Sequence, residues 1–206
     1  MKKIDWVIII FIFVLSIFTL KDLLKPGYFT SHDGIHQVPR LYYFDQAVRD
    51  GQIPPRWAGG LLNGFGYPLF IFSYHMPWII AEPVYLIGFS IFDSIKITFI
   101  IGFLLSGISM FYLQRQLFGR FAALVGTIMY LFAPFRFSNI FVRAAIGDAT
   151  VFIFPPIVFL ALSKIMNSEK ISMFWICVGA IALSGLLLSH AMVAMLYFLL
   201  VGVYML

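Results

Sequence analysis

Residues 67–92 read YPLFIFSYHMPWIIAEPVYLIGFSIF. The run is long enough to cross a bilayer, since a spanning helix takes about 20 apolar residues. It also holds Pro68, Pro77 and Pro83, together with His75 and Glu82. Each interior proline removes a backbone hydrogen bond and costs a helix roughly 3 kcal/mol, and a charge in mid-bilayer adds a further penalty. Short broken helices, re-entrant or interfacial, satisfy those groups better than a straight span. Residues 67–92 are therefore expected not to cross, which by parity sets the side of every later loop.

The flanking sequence is more regular. The chain of 206 residues is 62% hydrophobic and 11% charged, with mean hydropathy +0.97; soluble domains carry roughly a quarter charged positions. An all-α, polytopic transmembrane bundle follows, a single domain over 1–206 with about five to seven spans. Residues 4–20 follow Lys2 and Lys3 without small residues for a cleavage site, so they predict an uncleaved first helix to about Leu24 with its N-terminus in the cytoplasm. Further spans are expected at 95–113, 121–135, 150–166, 173–189 and 191–206. The last run reaches Leu206 without a polar cap, as the N-terminal part of a longer protein would. The basic turns 114–120 and 164–172 then share the cytoplasmic side with Lys2 and Lys3.

The 14 basic residues mostly flank apolar segments, so membrane lipids rather than nucleic acid account for them. Cys177 stands alone, which excludes a disulfide framework and a cysteine zinc site. Neither a phosphate-binding Gly-x-x-x-x-Gly-Lys loop nor a Gly-x-Ser-x-Gly elbow occurs.

Between the first helix and 67–92 lies a polar stretch, 25–66, with three Asp, four Lys or Arg, two His, four Pro and seven Gly. Loops this long without a function are uncommon, and this one is expected outside the cytoplasm. Val38, Leu41, Phe44 and Val48 recur at helical spacing with Pro39 at a first-turn position, which predicts a short surface helix over 38–50. Upstream lies Ser31-His32-Asp33-Gly34-Ile35-His36. A second polar segment, 136–150, holds Arg143 and Asp148 and falls on the same outer face. Two loop carboxylates, an arginine and a membrane beneath them suit chemistry on a lipid-linked anionic substrate. A carboxylate can take a proton from a hydroxyl, and an arginine fork matches phosphate oxygens.

Several features in this order resemble the N-terminal half of the GT-C superfamily of membrane glycosyltransferases. They are Ser31-His32-Asp33-Gly34, Trp57 with Gly64-Phe65-Gly66-Tyr67-Pro68, the turn from Tyr112 to Gly119, Ala133-Pro134, and Arg143-Ala144-Ala145-Ile146-Gly147-Asp148. Within it the chain is most similar to the bacterial 6-pyruvoyl-tetrahydropterin-synthase-related integral membrane proteins. The resemblance implies a GT-C-like fold and transfer of a sugar from a polyprenyl-phosphate donor to a hydroxyl of an envelope glycan, lipid or protein. The site would face outward from a bacterial or archaeal cytoplasmic membrane. It puts the first-loop acid at Asp33, as general base or metal ligand, and the second-loop acid at Asp148, where relatives often carry Glu. Arg143 would meet the carrier phosphate. His36, His190, Trp57 and Tyr67 are further candidate substrate contacts. A divalent metal on Asp33 and Asp148 is a candidate cofactor.

Plainer readings stand beside these. Asp33-Gly34 is also a turn pair whose carboxylate bonds nearby backbone. Gly34 argues against a helix aligning His32 and His36 for a metal. Arg143 and Asp148 also suit a helix-end ion pair. Glu82 suits either an intramembrane acid or an interfacial residue facing water. Trp57, Tyr67, Tyr74 and Trp78 fit an aromatic belt as well as a sugar platform. A noncatalytic scaffold or carrier-binding subunit, and a secondary transporter, are the competing functions; the latter would usually show paired halves with matching interruptions.

Overall fold

A computed structural model describes residues 3–170 and 172–206. Lys2, expected at the cytoplasmic face, lies outside them. The described chain is helical, with one isolated β-bridge between Ala58 and Tyr67. Two helical segments, Ile91–Phe118 and Ile146–Met166, are long and apolar enough to cross a membrane, and a bent pair would make a third. The apolar helices at 173–189 and 191–204 are shorter.

Helix α1 (Lys3–Thr19) ends earlier than the apolar pattern predicts, and a 3-10 turn, Lys21–Leu24, carries the chain into the loop. Most of its large side chains are exposed, as on a lipid-facing helix. Asp5, Ile12 and Ser16 are buried, and Asp5 is charged. It is 1% exposed and accepts bonds from Arg120 at 2.8 Å and Arg115 at 3.3 Å, fastening the start of α1 to the turn between the helices Ile91–Phe118 and Arg120–Leu131.

Helix α2 (Gly34–Arg49) begins four residues before the predicted start and holds Pro39 in its interior. Pro39 lies in the second turn, where the lost N–H bond is borne by a helix docked on both sides of it. Leu41 and Phe44 are buried as the spacing predicts, and α2 packs against the later helices Met76–Leu86 and Ile91–Phe118. It is therefore a docked helix rather than a surface one.

Residues 67–92 form two short helices, α3 (Leu69–Phe72) and α4 (Met76–Leu86), before α5 (Ile91–Phe118) starts. At about 1.5 Å per residue, α4 is roughly half the length of a span. Ser90 caps α5, its Oγ accepting from the Asp93 N–H at 3.1 Å. Lys96 Nζ donates to the carbonyls of Lys25 and Gly27 at 2.8 and 2.9 Å. Those bonds bring the start of α5 back to the end of the bundle at which α1 finishes.

Gly119, at φ 88°, turns α5 into α6 (Arg120–Leu131). The span expected at 121–135 is interrupted. Ala133 is extended, with ψ 130°, because Pro134 disfavours the helical region in the residue before it. The chain resumes as α7 (Pro134–Phe137) and a π-helical turn (Ser138–Arg143), bent 44° from α6. Ala144 takes a left-handed conformation, φ 51°, and α8 (Ile146–Val151) follows. Helix α9 (Phe154–Met166) then runs parallel to α5, α10 (Met173–Ser189) returns, and α11 (Ala191–Tyr204) leaves from His190.

One end of the bundle thus gathers Asp5, Arg115, Lys164 and Trp175 around one cavity, and the other gathers the two polar loops. In a variant with exposed Cys177 replaced by Ser, single cysteines at Ile35 and Phe118, 72% and 68% exposed, should react with an impermeant maleimide from opposite sides. Labelling of both from one side would overturn this arrangement.

Candidate active site

The start of α2 and the segment 142–148 meet through backbone. His32 and Asp33 donate their N–H groups to the carbonyls of Val142 and Arg143 at 3.0 and 2.9 Å. One pocket of about 190 Å³ is lined by Asp33, Arg40, Tyr74, Arg143, Ala145, Gly147, Asp148 and His190. The two candidate acids, distant in sequence, therefore share a wall.

Their surroundings differ. Asp33 occupies the N-cap of α2, yet its side chain makes no capping bond, so the turn-pair reading does not describe its carboxylate. Asp148 is 7% exposed and held on both sides. Arg143 Nη1 donates to Asp148 Oδ2 at 3.0 Å and to Asn139 Oδ1 at 2.8 Å, while His190 Nε2 lies 3.4 Å from Asp148 Oδ1. The ion-pair reading of Arg143 and Asp148 thus holds as geometry. The Arg143 side chain is nonetheless 42% exposed, leaving the rest of its fork to the pocket.

Arg40 and Gln37 are the residues that sequence reasoning missed, and Tyr74, read there as an aromatic belt or sugar platform, joins them. Gln37 is buried and donates to the Ala144 carbonyl at 3.0 Å. Arg40 Nη1 donates to Tyr74 Oη at 2.9 Å and to Gln37 Oε1 at 3.3 Å. Burial raises the Tyr74 phenol above its ordinary pKa, partly offset by Arg40, so Tyr74 stays neutral. Positions 33, 37 and 40 follow helical spacing, a signal hidden by starting the helix at Val38. Gly147 admits the Tyr74 ring: a Cβ there would come within 2.8 Å of it and 2.9 Å of the Ser189 carbonyl.

A larger cavity of about 640 Å³ adjoins the pocket, sharing Arg40, Tyr74 and His190. Its other walls are mainly apolar, including Phe70, Phe72, Leu187, Leu188 and Met192, and Tyr67 lines it. His36 and Trp57 line neither. His36 is exposed on α2, and Trp57 covers Gly66, where a Cβ would collide with the indole.

The residues present do not make a metal cage. Among the described residues no group of three or more His, Cys, Asp or Glu side chains is placed to hold an ion, and Arg143 already occupies one oxygen of Asp148. Glu82 does not face water: it is 6% exposed, and Asp45 of α2 lies close enough to raise its pKa.

No protein-family model matches the chain, and no solved structure matches it. An uncharacterized protein of Lactococcus lactis subsp. cremoris (strain MG1363) is 24% identical over 191 residues. The match covers 90% of this chain and 30% of that relative, so the chain spans under a third of its length. The described residues define an all-helical protein with two to three helices long and apolar enough to cross a membrane.

Proposed function

We propose that the protein is a GT-C-like, multi-pass membrane glycosyltransferase that moves a sugar from a polyprenyl-phosphate donor to a hydroxyl of an envelope acceptor, its site facing outward. One observation carries this reading: Asp33 and Asp148 line a single pocket with two arginines, and an apolar cavity opens directly beside it. The division of polar and apolar walls suits a phosphate joined to a hydrocarbon tail. Asp33, whose carboxylate is not engaged in a cap, takes the proton of the attacking hydroxyl. The acceptor oxygen bonds to the anomeric carbon as the bond to the carrier phosphate breaks. Arg40 and the free part of Arg143 receive the phosphate charge, and Asp148 orients Arg143.

Membranes from cells producing the protein should transfer radiolabelled sugar from a panel of polyprenyl-phosphate sugars into envelope material. No transfer above that of membranes lacking it, with any donor in the panel, would refute the assignment. In such an assay Arg143→Lys should raise the donor KM by about tenfold and move the acceptor KM by less than about twofold. Lysine keeps the charge but loses the fork that serves Asp148 and phosphate together. Equal defects toward both substrates would reduce Arg143 to a structural pair.

A further inference from the structure

The end of the bundle opposite the acids contains a second cavity, of about 310 Å³, lined by Asp5, Tyr112, Arg115, Gln116, Leu160, Lys164 and Trp175. Below it lies a groove of about 240 Å³ with almost wholly apolar walls, sharing Tyr112 and Leu160 with the first. The two are one channel between α5 and α9. Leu105, Ile108, Ser109 and Tyr112 form one stripe of α5, which continues to Arg115; Ile153, Ile157 and Leu160 form the facing stripe, which continues to Lys164. Both stripes change from apolar to cationic at the same level.

We propose that this channel binds an anionic phospholipid, its phosphate between Arg115 and Lys164 and one acyl chain in the groove. Charge complementarity argues for this occupant. Asp5 is shared between Arg115 and Arg120, so one carboxylate faces two guanidiniums, and Lys164 adds a third cation. Lys164 Nζ stands 5.9 Å above the Trp175 ring, the type of aromatic enriched at a bilayer interface. Dimensions argue for it as well. From Leu105 to Arg115 the helix rises about 15 Å, close to half of a hydrocarbon core about 30 Å thick. The channel thus has the depth of one leaflet. This site is independent of the sugar-transfer reading and rests only on the protein residing in a membrane.

Arg115 and Lys164 also sit in the last turns of α5 and α9, where cations offset the helix dipole. That role alone predicts no lipid preference, and binding separates the two accounts. Native mass spectrometry of the detergent-purified protein titrated with phosphatidylglycerol or phosphatidylcholine should show at least about tenfold tighter binding of the anionic lipid, as two basic residues near a phosphate imply. Arg115→Gln with Lys164→Gln should reduce the preference below about twofold, and Lys170→Gln, outside the channel, should leave it unchanged. Equal binding of both lipids, or the same loss in Lys170→Gln, would overturn the site. Should the double variant fail to fold, a photoreactive phosphatidylglycerol on the unaltered protein should crosslink to residues 105–112 and 153–160 and be displaced by excess unlabelled phosphatidylglycerol. Labelling elsewhere, or labelling that phosphatidylcholine displaces as well, would also overturn it.

Discussion

Asp33→Asn should lower sugar transfer by about 100- to 10,000-fold, the usual contribution of a positioned general base, while changing the melting temperature by less than about 2 °C. The asymmetry follows from the surroundings of Asp33. Its side chain makes no cap bond to α2, and the segment is fastened through its backbone N–H to the Arg143 carbonyl at 2.9 Å. Asparagine preserves that bond and the side-chain volume and removes only the basicity. Asp148→Asn differs, because the carboxylate receives Arg143 and faces His190, so stability and activity should fall together. Transfer by Asp33→Asn within about threefold of the unaltered protein would remove Asp33 as the base. A matching loss of melting temperature would make it structural.

How much of this was legible in the sequence depends on whether a signal was local. The prolines of 67–92 announce their effect directly, and that segment forms two short helices. Pro134 acted by the same rule on Ala133, yet hydropathy alone carried 121–135 across the break. The start of α2 was hidden because Pro39 resembles a first-turn residue, although the helix holds it inside. With that start went the alignment of Asp33, Gln37 and Arg40. Tyr74 was legible only as an aromatic belt or sugar platform, because it reaches the pocket through the approach allowed by Gly147. Asp5 was silent: its meaning lies in Arg115 and Arg120, at the end of α5 and the start of α6. Sequence patterns therefore reached the helices and the two acid loops, and contacts between distant segments supplied the rest of the pocket.

Those distant contacts also predict how the protein responds to pH. Glu82 of α4 is 6% exposed and lies against α2. Burial, and then the nearby charge of Asp45, push its carboxyl from the ordinary 4.5 up to about 7, and Arg49 lowers it in part. Arg49 is itself held by Asp45 at 2.8 Å, so it offsets the neighbouring acid more than Glu82. The folded state thus binds the Glu82 proton more tightly than the unfolded chain does. Its stabilising effect is complete below about pH 4.5 and is lost as pH rises through about 7. The full difference corresponds to at most about 3 kcal/mol. Glu82→Gln keeps the shape and removes the titration. At pH 8 the variant should melt about 5 to 10 °C above the unaltered protein, and at pH 4.5 the two should nearly coincide. Comparing them at each pH cancels the titrating groups that do not interact with Glu82. A gap independent of pH would mean that the glutamine side chain packs better for reasons unrelated to charge. No gap at pH 8 would mean that α2 and α4 part easily enough for water to solvate the carboxylate. The docking of α2, and with it the position of Asp33, would then be looser than the contacts of Leu41 and Phe44 imply.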